Sequence, residues 1–209
     1  PFYEPGLPEL LSEGIASGRL RFTSDMSEAA GAAVHFIGVG TPQQRDGDAA
    51  DLRYVNAAVD GLLPYLSAGD VVAGKSTVPV GTAAGLAPRI EETGATLVWN
   101  PEFLREGWAV QDTINPDRVV VGVSSGAAGT RAADVLREVF HTAVAQDTPF
   151  IVTDLATSEL VKVAANAFLA TKISFINAMA EIAEVTGADV TQLAEAIGHD
   201  ARIGRRFLG

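Results

Sequence analysis

The chain has 209 residues, 47% of them hydrophobic, with a formal net charge of −11, no cysteine and three scattered histidines, His35, His141 and His199. That length and apolar content suffice for a sizeable core in one large or two small domains, while the acidic balance argues against nucleic acid as a partner, since neutralising phosphates needs surplus Lys and Arg on one face. Without cysteine there is no disulfide scaffold or thiolate metal site within these residues, and no uninterrupted apolar run approaches the about 18 residues that span a bilayer, so the expectation is a cytoplasmic protein with no membrane and no metal.

Residues 7–15 carry the first helical pattern. Short apolar runs at 34–39, 70–74, 96–99, 118–121 and 150–152 read as buried strands. Between them, 52–66, 82–92 and 130–140 place apolar residues at i, i+3, i+4 and i+7, the stripe of a helix laid on a sheet. Strand and helix alternating in this way predict parallel pairing, because each crossover returns the chain to the same end of the sheet. From residue 155 the pattern changes: 155–186 contains no Pro and no Gly and is apolar on nearly every face, which predicts one long, mostly buried helix. A shorter helix follows over 190–197, introduced by Gly187 as a stop and Asp189 as a cap. The fold class expected is α/β: a truncated doubly wound, Rossmann-like parallel sheet over 1–153, then over 154–209 a long connecting helix and the start of an all-α domain. The chain opens at Pro1 without an initiator Met, inside a turn-like Tyr3-Glu4-Pro5-Gly6, and closes at Gly209 after a basic cluster, so both ends read as cut.

Ligands of open parallel sheets bind beyond the carboxyl ends of the strands. Three segments there combine Pro with Gly or a hydroxyl residue: Gly38-Val39-Gly40-Thr41-Pro42, residues 75–82 (Lys75-Ser76-Thr77-Val78-Pro79-Val80-Gly81-Thr82) and residues 100–107. Such chemistry lets backbone N–H groups face a ligand. The bland alternative is turn formation and helix capping, with Thr77 or Thr82 as a cap. Glu102 and Glu106 are four apart and share a face if a helical turn begins at Phe103; they then either divide proton transfer and hydroxyl recognition or form a solvated acidic turn.

Residues 69–76 match the phosphate-loop pattern G-x-x-x-x-G-K-[ST], but the match fails on context. Residues 70–73 read as strand rather than loop, and Pro79 stands where a helix opened by Lys75 would need an N–H. Within the long helix, Lys162 and Asn166 share a stripe, with Asn177 close to it and Glu159 one turn earlier. A lysine among apolar faces is either paired, here with Glu159, or turned into a site that stabilises an oxyanion beside an amide that orients a hydroxyl.

Taken in order and spacing, the three loops, the run Asn115-Pro116-Asp117-Arg118-Val119-Val120-Val121-Gly122, the Glu159-to-Asn177 helix and Asp200-Ala201-Arg202-Ile203-Gly204 resemble the UDP-glucose/GDP-mannose dehydrogenase family. The resemblance implies four-electron oxidation of a sugar C6 alcohol to a carboxylate with two NAD, through an aldehyde and a cysteine-bound thioester. It implies that Lys162 stabilises oxyanions, Asn166 holds substrate or water, and Glu102 transfers protons. Val39, Gly40, Thr41, Pro42, Gln43, Ser76, Thr77, Val78 and Glu106 would contact NAD. Glu102, Phe103, Leu104, Arg105 and Glu106 would line the nucleotide-sugar pocket with Lys162 and Asn166, and Arg202 would reach a substrate across a homodimer interface built on the long helix.

The resemblance places the Gly-rich fingerprint and acidic ribose-binding residue before Pro1 and the nucleophilic cysteine after Gly209, so these residues alone are expected to sustain no turnover. The run from Ala165 to Ser174 looks more like the UDP-glucose branch than those for GDP-mannose or UDP-N-acetylmannosamine. From other classes, a phosphate-loop triphosphatase and a catalytically dead module binding through the long helix stand as alternatives.

Overall fold

Five short strands carry the first part of the chain: β1 (Val34–Ile37), β2 (Val71–Gly74), β3 (Thr96–Trp99), β4 (Val119–Val123) and β5 (Phe150–Asp154), hydrogen-bonded in the order β1-β2-β3-β4-β5. The structure is a computed structural model that describes residues 3–208 and comprises two compact units, Pro1–Lys162 and Val163–Gly209. In the first unit, strand residues alternate between two cores, as a pleated sheet covered on both faces requires. Val72, Leu97 and Trp99 join Val55, Val59 and Leu62 of α2 (Arg53–Leu62) and Leu86 and Ile90 of α3 (Thr82–Glu91). Val71, Ala73, Val98, Val119 and Val121 point the other way, onto Ala132 and Leu136 of α5 (Ala127–Val139). Each fully buried Val, Leu or Ile among them contributes roughly 1.5–3 kcal/mol of transfer free energy.

Gly74 ends β2 because the Trp99 indole lies against its backbone: a Cβ there would come within 2.2 Å of the ring. That contact locks the registered pair Gly74↔Trp99 at the edge where the candidate loops begin. Pairing is parallel for β1–β2, β2–β3 and β4–β5 but antiparallel for β3–β4, which corrects the all-parallel expectation. The physical reason lies in residues 100–118, whose only helix is α4 (Ala109–Ile114). Too short for a crossover, this connection stays at the carboxyl edge, and β4 starts back from there, meeting β3 only at Val98↔Val123 and Trp99↔Gly122. Before the sheet, α1 (Leu7–Ala16) follows Glu4, whose buried carboxylate accepts hydrogen bonds from Gly107 N (2.8 Å) and Ala109 N (3.1 Å) at the start of α4. A four-residue helix, α6 (His141–Val144), follows α5.

α7 (Leu155–Thr186) begins in the first unit and continues into the second. Its bounds agree with the helical pattern, but the expected burial is corrected: its most apolar 18-residue window is 6% buried, with Phe168 66% and Val185 88% exposed. A helix apolar on nearly every face has more surface to cover than α8 (Val190–Gly198) and the turns after it provide. That window has a mean hydropathy of 1.3, so α7 is long and apolar enough to cross a membrane by length and composition. The absence of an uninterrupted run concealed this, because Lys172, Ser174 and Asn177 break it. Within the second unit, Gly187 turns at φ +73° and Asp189 caps α8 through Thr191 N and Gln192 N, as their positions predict. Lys172 Nζ donates to Ile203 O at 2.9 Å, tying α7 to the turn after α8.

Candidate functional site

Because β1, β2 and β3 run parallel, the loops that follow them leave the same edge of the sheet, as anticipated, and they are stitched to one another. Ser76 Oγ donates to Val39 O and Thr41 Oγ1 donates to Thr77 O, both at 2.6 Å, so the first and second loops form one surface. The second and third are joined by Asn100, which is 2% exposed: its Oδ1 accepts from Lys75 Nζ at 3.0 Å while its Nδ2 donates to Val120 O at 2.8 Å. The phosphate-loop alternative fails here, since β2 occupies the middle of that match and the next helix opens only at Thr82.

At the centre of this surface stands Glu102. One carboxylate oxygen accepts from Leu104 N–H and the other lies 3.7 Å from Lys75 Nζ. Burial holds the Lys75 ammonium below the usual lysine range, with Glu102 pulling it back up. Lys162 approaches from α7, partly buried, its ammonium 5.5 Å from the centroid of Phe103, whose ring also carries Arg118 at 4.0 Å. Burial lowers the Lys162 pKa first, Glu102 raises it, and Arg118 lowers it further. An ammonium whose pKa is lowered, close to a carboxylate, can offset the charge of a developing oxyanion and gives up its proton more readily than an exposed lysine does.

Glu159 does not pair with Lys162. It is 2% exposed, and its two oxygens accept from Gly81 N and Ala83 N, each at 2.7 Å. It thus caps the N-terminus of α3, where the cap residue Gly81 has φ +99° and no side chain to offer. Neither threonine caps this helix; Thr82 Oγ1 donates to Pro79 O at 2.7 Å. The second loop is therefore anchored to α7 one turn before Lys162.

Other expected site residues fall as follows. Gly40, Pro42, Gln43 and Thr77 are exposed, Val39 is partly buried, and Gln43 Nε2 donates to Asp48 Oδ1 at 2.8 Å. Ser76 is buried under the loop it ties, and Val78 is 3% exposed with its side chain in the core, so only its backbone could meet a ligand. Residues 100–108 are not helical, so the shared face proposed for Glu102 and Glu106 does not form; Glu106 and Leu104 are exposed. Arg105 is committed to Asp112 through Nε at 2.9 Å. In the second unit, Asn166 and Asn177 are exposed on α7, and Arg202 pairs with its neighbour Asp200 at 2.6 Å. The residue patterns did not mark Lys75 or Arg118 as site residues; the signal for Lys75 was its position just past the carboxyl end of β2, whereas Arg118 precedes β4 and reaches that edge only because β4 runs antiparallel to β3.

The residues fit a dinucleotide at the first loop. A Cβ added at Gly38 or Gly40 would meet nothing within 4 Å, so a ligand can approach their backbone directly. A twisted sheet covered on both faces, with open glycine turns and a lysine–carboxylate cluster at one edge, is the frame of a dinucleotide-binding α/β protein. Residues 1–144 match the model for the NAD-binding domain of the UDP-glucose/GDP-mannose dehydrogenase family, and residues 156–209 match the model for its central domain. The chain belongs to that family. It is 48% identical over 213 residues to a UDP-glucose 6-dehydrogenase of Rhizobium meliloti (strain 1021), covering 100% of this chain and 48% of the relative. A UDP-glucose 6-dehydrogenase of Bacillus subtilis (strain 168) is 44% identical over 214 residues, with 100% of this chain and 45% of the relative covered. Among solved structures, a UDP-glucose dehydrogenase from the archaeon Pyrobaculum islandicum superposes with a TM-score of 0.90 at 43% identity, covering 99% of this chain and 48% of its own. A GDP-mannose dehydrogenase from Pseudomonas aeruginosa gives 0.87 at 30% identity, covering 100% and 49%. The chain thus spans about half the length of these relatives.

Proposed function

We propose that the protein to which this chain belongs oxidises UDP-glucose to UDP-glucuronate with two NAD, through an aldehyde and a cysteine-bound thioester. The observation that carries this reading is Lys162 beside Glu102, with its charge disfavoured by burial, at the edge where the three loops meet. The names borne by the more similar relatives support UDP-glucose over GDP-mannose. These 209 residues contain no cysteine, so the thioester step draws its nucleophile from outside them.

The backbone of Val39, Gly40, Thr41, Pro42 and Gln43, with Ser76, Thr77, Val78 and Glu106, would hold NAD, which would supply the hydride acceptor. Lys162 offsets negative charge developing on the substrate oxygen, where a well-placed donor contributes about 10²- to 10³-fold. Glu102 takes and returns protons. Asn166 holds substrate or water; Phe103, Leu104, Arg105 and Glu106 line the sugar pocket, and Arg202 reaches a substrate across a homodimer built on α7. The domain boundary falls near Thr153, at the end of β5, and a cytoplasmic protein is the reading favoured, since Lys172 in mid-helix makes α7 a costly membrane span.

The test is NADH formation by the complete purified enzyme, with UDP-glucose, GDP-mannose and UDP-N-acetylmannosamine offered in turn. Two NADH per UDP-glucose consumed is the expected result. Preference for GDP-mannose or UDP-N-acetylmannosamine would move the substrate within the family, and no NADH from any of the three would overturn the reading.

A further inference from the structure

Lys75 is fixed at both ends, by its backbone and by its ammonium. Its backbone N–H donates to Ile37 O at 2.8 Å, which continues the β1–β2 ladder one residue past β2. Its ammonium is held by Asn100 Oδ1 at 3.0 Å, and Asn100 is itself buried and fixed to Val120 O. The rings of Phe36 and Phe140 flank it, with centroids at 6.0 and 5.9 Å. Only 28% of the side chain remains exposed. The remaining charge faces Glu102.

The separation from Glu102 matters. At 3.7 Å the contact is an ion pair longer than a direct hydrogen bond, so it orients the carboxylate by charge and leaves the near oxygen free to accept a proton. The far oxygen is engaged by Leu104 N–H. Two cations act on this carboxylate: Lys75 from the end of β2 and Lys162 from α7, which shares the Phe103 ring with Arg118. Of these, Lys75 alone forms an ion pair with Glu102 among the described residues.

We propose that Lys75 is the positioning residue for Glu102: clamped by Asn100, its ammonium holds the carboxylate in place and orients the oxygen that carries the proton. This rests on the reading of Glu102 as the proton-transfer group. Lys75 acts without touching substrate or cofactor, and its effect on turnover passes through Glu102.

A double-mutant cycle in the complete enzyme tests it, with kcat and KM measured for Lys75→Met, Glu102→Gln and the double variant, and with Lys75→Arg as the rescue. Acting through Glu102, Lys75→Met lowers kcat about 10- to 100-fold with KM within about twofold, Lys75→Arg recovers most of the loss, and the double variant is no slower than Glu102→Gln alone. Should Lys75→Met fail to fold, as judged by circular dichroism, Lys75→Gln removes the charge while keeping a donor to Asn100 and takes its place in the cycle. Losses that multiply in the double variant, or a raised KM at unchanged kcat, would overturn the inference and leave the role of Glu102 standing. Parental turnover by Glu102→Gln would sink the proton-transfer reading and this inference with it.

Discussion

Lys162 is held where its own charge is disfavoured, and that has a cost to the fold as well as a use. Burial and Arg118 together outweigh Glu102, so its folded pKa lies below the unfolded value of about 10.4. Between those two values the unfolded chain binds more protons than the folded one, so stability rises with pH through that window; below it, including at neutral pH, the full penalty is present. Lys162→Met removes the ammonium and keeps an apolar stem against Phe103. The variant is expected to melt at a higher temperature than the parent at pH 7, with the gain shrinking toward pH 10, while turnover falls about 10²- to 10³-fold. Differential scanning calorimetry across pH alongside NADH assays checks both; a lower melting temperature at pH 7 would show that the ammonium is a net stabiliser. Only part of this was legible from residues. An ionisable group in an apolar helix marks Lys162, but spacing alone pointed to Glu159 as its partner. Glu159 is instead drawn to the unsatisfied N–H groups of α3, which lie 76 to 78 residues away in sequence.

That carboxylate is where the elements are joined. A helix N-terminus buried without acceptors leaves N–H groups unpaired, and α3 begins at a glycine that has none to give. Glu159→Ala therefore strands two N–H groups, one of them on Ala83, which is fully buried. The expected loss is about 2–4 kcal/mol, and Glu159→Gln, keeping one acceptor oxygen, loses about half of that. Urea unfolding with an unchanged m-value measures it, and a change below about 0.5 kcal/mol for the alanine variant would mean that other groups satisfy the helix end. At this scale the sequence spoke clearly wherever periodicity operates. The bounds of β3 and of α7 follow from it, and α2, α3 and α5 lie where their stripes fall. It was silent on the direction of β4, which depends on whether residues 100–118 cross the sheet. A six-residue helix with a buried glutamate from residue 4 at its start leaves no periodic trace.

At the scale of the whole molecule, α7 is the element that these 209 residues leave largely uncovered. Phe168, Phe175, Ile182 and Val185 are 48–88% exposed on it, which is a large apolar surface to leave in water. Its Glu and Lys residues and the bond from Lys172 to Ile203 O argue against a lipid surround, because a charged side chain in mid-helix is costly in hydrocarbon. A second copy of the same helix is the occupant proposed. In a two-fold interface every substitution acts twice, so Phe168→Glu or Val185→Glu places two carboxylates in an apolar contact while disturbing little in the isolated chain, where both positions already face solvent. Analytical ultracentrifugation of the complete enzyme is expected to show a dimer for the parent and a shift toward monomer, at least tenfold in dissociation constant, for each variant. If both variants stay dimeric with parental affinity, the interface lies elsewhere, and the exposed face of α7 then requires a different partner.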